Sequence, residues 1–188
     1  MVSDRSTGLI LIASFLLGCS GNGPVKPVRV GSDHNFPIVK GKEFVGVIFP
    51  ASKPVEIPYL FEKPRGRWTP TEADVVGCEA RLRQELKAIA RALGELDTPG
   101  PERFDLMAVN DVLEHLTEYR RQYVGIVTSE GSKRIVLNCF PGPSAPSGDW
   151  FDYWRQEIVD VDDGGSWFWR IQCHVTTGHL SDFNSNGD

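Results

Sequence analysis

Hydrophobic and polar positions change period several times along the chain, and each change marks an element. A short apolar run, Leu9-Ile10-Leu11-Ile12-Ala13-Ser14-Phe15-Leu16-Leu17, gives way to a Gly-, Pro-, Asn- and Ser-rich stretch from Ser20 to about Lys42 with no period, which reads as a flexible spacer. Phe44 to Phe49 is apolar and strand-like and stops at Pro50. Val55 to Phe61 predicts a second extended piece, held to an edge or an irregular crossing by Pro54, Pro58 and Pro64. Thr69-Pro70-Thr71-Glu72 then opens a helix, with Thr69 as cap, Pro70 at the first helical position and Glu72 where a capping box wants a carboxylate. Val75, Cys78 or Glu79, Leu82, Leu86, Ile89 and Leu93 recur at spacings of three and four, and Gly94 follows as a stop. The opposite face, with Arg81, Arg83, Glu85, Lys87 and Arg91, reads as solvated.

After a break at Asp97 to Pro101, a short helical turn is expected around Val109 to Leu116. The period then falls to two. Tyr119 to Thr128, a Glu130-Gly131 turn and Arg134 to Phe140 predict an antiparallel hairpin. Tyr119, Arg121, Tyr123 and Gly125 share one side of its first strand, and Arg120, Gln122, Val124 and Ile126 the other. Pro141-Gly142-Pro143 ends the hairpin, and Ser144 to Tyr153 reads as a wet aromatic loop leading into Trp154 to Val161, a further strand or a bent connection. Asp162-Asp163-Gly164-Gly165 is a turn. Ser166 to Thr176 is a strong strand in which Trp167, Trp169, Ile171, Cys173 and Val175 alternate with Phe168, Arg170, Gln172 and His174. These elements predict an α+β domain, one main amphipathic helix packed on an antiparallel sheet of about four to five strands. In the order of its elements the chain resembles the cystatin-like and nuclear-transport-factor-like half-barrels, folds that fix no function. The expected division is a leader over 1–18, a tether over 19–42, a single domain over 43–180 and a polar tail over 181–188.

The first apolar run is far short of the ~20 residues that cross a bilayer, so it reads as the hydrophobic part of a secretory signal. Arg5, partly offset by Asp4, precedes it, and the small Gly18 stands directly before Cys19. Leu16-Leu17-Gly18-Cys19 resembles the lipobox of bacterial lipoprotein precursors. That resemblance covers only the leader, and it implies cleavage before Cys19, diacylglycerol on the Cys19 thiol and a domain tethered to membrane lipid outside the cytoplasm. In Gram-negative relatives Ser20 is consistent with outer-membrane sorting. The alternatives are an ordinary cleaved signal peptide, or a buried strand that happens to hold a cysteine. The segments Tyr119 to Gly125, Leu137 to Phe140 and Val161 to Trp169 resemble uncharacterised bacterial lipoproteins, a likeness that implies an architecture and no activity.

Cleavage leaves about 170 residues, enough for one domain with a real core. The net charge of -5 is unchanged by it, because Asp4 and Arg5 leave together. Without a long basic run, nucleic-acid binding through a phosphate-neutralising face is not expected. Lys63-Pro64-Arg65-Gly66-Arg67 reads as a solvated loop. Cys78, Cys139 and Cys173 remain beside the anchor. Their odd number suggests one bridge at most, and the shared strand character of Cys139 and Cys173 makes these two the expected pair; three small buried hydrophobes are the alternative.

Chemistry is faint. Asp160, Asp162 and Asp163 beside two glycines invite a calcium reading, yet they lack the loop length and late glutamate of an EF-hand, so a turn is the better explanation. His174 and His179, near Asp182, have ligand-like residue types at uninformative spacing, and Cys139 with His174 would be split by strand alternation. No nucleophile elbow, zincin helix, phosphate loop or dinucleotide fingerprint is present. Hence no catalytic, metal or cofactor residues are assigned. Trp150, Phe151 and Tyr153 are candidate contacts for a sugar or a protein partner if they stay exposed on their loop. The expectation is a non-enzymatic envelope lipoprotein that binds or scaffolds an envelope protein or glycan. A small envelope hydrolase or metal-dependent enzyme is the alternative.

Overall fold

The computed structural model describes residues 36–57, 60, 62–96, 101–148 and 150–186, with 101–103 as backbone alone. The expected leader, Cys19 and the tether as far as residue 35 lie outside the described residues. The elements are β1 (Ile38–Lys40), β2 (Val45–Phe49), β3 (Gly66–Trp68), α1 (Glu72–Glu95), α2 (Pro101–Glu114), β4 (Tyr119–Val127), β5 (Lys133–Pro141), β6 (Gly165–His174) and β7 (Leu180–Asn186). The chain is therefore α+β, but among the described residues its sheet holds seven strands rather than four or five, in the order β1-β2-β4-β5-β6-β7 with β3 beside β4.

Thr71, two residues after the expected cap, opens α1. Its hydroxyl accepts from the Asp74 amide at 3.2 Å while the Asp74 carboxylate accepts from the Thr71 amide at 2.8 Å, so the reciprocal box falls on Thr71 and Asp74. The Thr69 hydroxyl instead accepts from the Ala51 amide at 2.9 Å. α2 is a full helix where only a short turn was expected, because Pro101, read as the end of the break, is instead the first residue of the helix.

β4 is the spine of the sheet. One edge pairs antiparallel with β5 along its whole length, as the alternating hairpin predicts. The other edge is shared by β2, parallel to Arg120–Val124, and β3, antiparallel to Gly125–Val127. The parallel pair is possible because β3, α1 and α2 lie between β2 and β4 in the chain, long enough for a crossover. Gly125 makes room for β3, since a Cβ there would lie 2.3 Å from the Trp68 carbonyl oxygen.

Alternation then sorts the side chains into two cores. On one face Val75, Cys78, Leu82 and Leu86 of α1, with Val109 and Val112 of α2, close over Tyr119, Tyr123, Leu137, Trp169 and Ile171. On the other face Val47, Phe49, Val124, Val136 and Phe140 are covered by irregular chain that brings Trp154, Val159, Phe36 and Phe151. Irregular chain carries backbone groups that the sheet ladder does not satisfy. A row of polar side chains supplies partners. Gln122 donates to the Trp154 and Glu157 carbonyls at 2.6 and 2.7 Å, and its oxygen accepts from the Val159 amide at 2.9 Å. Asn138 donates to Gln122 and to the Val159 carbonyl, both at 2.8 Å, and Arg170 donates to Asn138 at 2.8 Å and Asp160 at 2.9 Å. Trp154 to Val161 is thus a bent connection pinned to the sheet and not a strand.

Three further expectations are corrected. β1 lies inside the expected tether, where Phe36 already stacks on Phe49 at 5.3 Å. β7 occupies the expected loose tail, paired with β6. The disulfide joins Cys78 to Cys173, with Cα atoms 6.1 Å apart, and leaves Cys139 as a buried thiol. Register decides this: Cys139 stands opposite Trp169 and Cys173 opposite Ile135. Four rungs at ~3.4 Å exceed the ~4.4–6.8 Å Cα span of a bridge, whereas the buried stripe of α1 sets Cys78 over Cys173.

Candidate functional site

A cleft of about 840 Å³ lies between α2 and the neighbouring ends of β6 and β7. Two helical stripes make α2 suitable for this. Val109 and Val112 face the core, while Phe104, Met107, Ala108, Asp111 and Glu114, spaced by one, three or four residues, line the cleft. Gly164 to Trp167 form the opposite wall with Ser185 and Asn186. Gly164 and Gly165 have φ of 148° and 54°, a conformation that lets the chain turn into β6 there.

Polar contacts fix the cleft's floor. The Ser166 hydroxyl hydrogen-bonds the Asp111 carboxylate, tying α2 to β6. Nε2 of His115 lies 3.7 Å from the other Asp111 oxygen, and Nδ1 lies 2.9 Å from Glu118. The His115 ring packs on Trp167 with centroids 5.0 Å apart, and Tyr119 packs on the same indole at 5.5 Å while donating to the Ser166 carbonyl at 3.0 Å. The Glu118 hydrogen bond, followed by the charges of Glu118, Asp111 and Glu114, raises the His115 pKa above its ordinary value. Burial pushes the Tyr119 phenol far up, so it acts as a neutral donor. Serine, acid and histidine meet here in the wrong order for a nucleophile. Asp111 stands between Ser166 and His115, so the imidazole is not placed to take the serine proton.

The aromatic loop divides. Trp150 is 78 % exposed, whereas Phe151 is half-buried against Phe140 and Phe168 at 5.6 and 5.7 Å, and Tyr153 packs on Phe151 at 6.0 Å. Of this trio Trp150 alone is largely exposed. His174, His179 and Asp182 do not converge on one site: Nδ1 of His179 is 3.1 Å from Glu85 of α1, and Asp182 pairs with Arg134 at 3.0 Å. Asp160 is paired with Arg170 at 2.9 Å. Among the described residues no group of three or more histidine, cysteine, aspartate or glutamate side chains is placed to hold a metal ion. The Cys139 thiol is wholly buried and its pKa is pushed well up by that burial, which leaves it a poor nucleophile.

Sequence reading missed Asp111, His115, Glu118 and Ser166. Asp111 and His115 are four apart, a spacing that places them together only once the segment is known to be helical. Ser166 joins them by tertiary contact alone.

A second concavity of about 530 Å³ opens over Phe44, Val76 and Arg83 and reaches Glu79 and Arg121. Arg121 already pairs with Glu79 at 2.9 Å and donates to the Tyr119 and Leu116 carbonyls at 2.8 and 3.0 Å, so it serves the fold. The chain matches no known protein family, no curated protein and no solved structure.

Proposed function

We propose that this chain is an extracytoplasmic lipoprotein of the bacterial cell envelope, held to membrane lipid through Cys19, whose domain binds an envelope partner, protein or glycan, without catalysing a reaction. The observation that carries the reading is the Cys78–Cys173 disulfide. A bridge joining a buried helix stripe to a buried strand persists in oxidising compartments and is rare in the cytosol, so it agrees with an export signal ending at Cys19. Lipid on Cys19 supplies two or three acyl chains, and each buried methylene contributes about 0.8 kcal/mol to anchoring. Ser20 favours the outer membrane where the envelope has one. The cleft beside α2 and the exposed Trp150 are the surfaces offered for binding. The half-barrel likeness fits helices confined to one face of the sheet.

Fractionation tests this. Expressed in a host with lipoprotein processing, the wild type is expected with the membranes, and Cys19→Ala is expected to lose lipid attachment and accumulate as unprocessed precursor. Equal, unmodified soluble protein in both strains contradicts the proposal.

A further inference from the structure

The cleft between α2 and the β6–β7 end combines features that select one kind of ligand. Asp105, Asp111 and Glu114 line it, and the described lining residues include no lysine or arginine. Between these acids stand Phe104 and Met107, 66 % and 62 % exposed. Single exposed apolar residues are ordinary, but two on one helix stripe, facing a partly buried indole across a concavity, form a wall. Carboxylates accept hydrogen bonds and offer none, and the hydroxyl of Ser166 is engaged by Asp111. Asn110, Ser185 and Asn186 can donate to a neutral ligand, but every charged side chain of the described lining is acidic, so the charge of the cleft favours a cation over a neutral sugar. Two aromatic side chains and one thioether beside the exposed carboxylates of Asp105 and Glu114 match a positive charge on an apolar body, through cation–π attraction and Coulomb attraction together.

We propose that this cleft binds a small organic cation, an ammonium group carried on an apolar body, with Trp167 as the ring it rests on and Asp105 and Glu114 as its counter-charges. The inference rests on the reading of the domain as a binding module and assigns its ligand class. A volume of about 840 Å³ falls in the range that encloses one small molecule. Asp111 is the fixed member, held by Ser166 and His115, while Asp105 and Glu114 sit on exposed turns of α2 and set the field at the mouth.

The test is an NMR titration of the full chain in detergent with choline and, in parallel, with its uncharged isostere 3,3-dimethylbutan-1-ol. Choline is expected to shift the Trp167 indole N–H and the Met107 methyl signals saturably, and the neutral isostere is expected to leave them in place. Asp105→Asn with Glu114→Gln, two exposed changes that keep the fold, is expected to weaken choline about tenfold. Equal shifts from the isostere overturn the proposal, as does the absence of a saturable shift up to roughly 50 mM choline, a concentration well beyond a millimolar Kd. Retained affinity in the doubly substituted chain also overturns it. A neutral oligosaccharide that saturates the same signals defeats the cation assignment while leaving the binding function standing, and Cys19 fractionation reports on anchoring independently of either result.

Discussion

Arg121 of β4 and Glu79 of α1 meet at 2.9 Å inside the helix–sheet interface, with side chains 1 % and 5 % exposed. Tyr123, two residues along the same strand face, donates its hydroxyl to the same Glu79 oxygen at 2.7 Å. Burial raises the Glu79 pKa, against the pull of Arg121 and the Tyr123 hydrogen bond. Two groups are thus removed from water and paired with each other, while Arg121 also donates to the Tyr119 and Leu116 carbonyls.

Such a pair is costly to break from one side. Glu79→Ala leaves the Arg121 charge buried with carbonyl partners alone, and the expected loss is about 3–5 kcal/mol in urea unfolding. A loss below roughly 1 kcal/mol, the range of exposed pairs, would show that water reaches the site.

Gln122 is the corresponding keystone on the opposite face. Gln122→Leu removes the partners of the Trp154 and Glu157 carbonyls and of the Val159 amide. The expected cost is about 3 kcal/mol, with hydrogen exchange at the Val159 amide accelerating more than exchange in β4. Uniform acceleration throughout the domain would instead mean that the bent connection is not held locally.

These two residues show what the sequence makes legible. Strand alternation puts Arg121 and Gln122 on opposite faces, and the observed sheet does the same, with Tyr123 and Val124 entering different cores. The helix stripe Val75, Leu82 and Leu86 was readable for the same reason, because local period reports which side is buried. Pairing between distant segments was not readable. The parallel alignment of β2 on β4 and the three-residue β3 depend on contacts across the chain, and β3 on the absence of a Cβ at Gly125. The disulfide was misassigned because strand character says nothing about register. The cleft was missed because its walls, α2 and the start of β6, meet only in the fold.

Gly125→Ala tests that close approach. Its Cβ would fall 2.3 Å from the Trp68 oxygen and 2.9 Å from Cδ of Pro70, and backbone cannot move as a side-chain end can. The expected destabilisation is about 2–3 kcal/mol by thermal or urea unfolding. Gly131→Ala is a poor control because its φ is 89°, whereas Gly77→Ala on α1 meets nothing and is expected to be neutral or stabilising.

His115 gives the cleft a pH dependence. Its pKa is raised from 6.5, first by the Glu118 hydrogen bond and then by the Glu118, Asp111 and Glu114 charges, with desolvation opposing them. The folded state therefore holds the proton more tightly than the unfolded chain does. The stabilisation from protonated His115 is full below its ordinary value and is lost as pH rises through the folded value. An NMR titration of the His115 ring is expected to show a midpoint above the ordinary one, and Glu118→Gln is expected to lower it. A midpoint unmoved by Glu118→Gln contradicts this assignment.

The bridge between Cys78 and Cys173 closes a loop with a sequence separation of 95 residues. Its removal by Cys78→Ala with Cys173→Ala is expected to cost about 2–5 kcal/mol, read as a lower urea midpoint. Cys139 is expected to stay unreactive toward iodoacetamide until the chain unfolds, since its thiol is buried and neutral.

One measurement brings anchoring, export and the bridge to a single readout: the intact mass of protein taken from the membrane fraction, denatured and alkylated with and without prior reduction. The expected mass lacks residues 1–18, carries a lipid-sized addition, and gains one alkyl group on Cys139 without reduction but one on each of Cys78, Cys139 and Cys173 after it. A full-length mass without lipid, or all three of these cysteines alkylated before reduction, contradicts the account of a disulfide-bonded, lipid-anchored envelope domain.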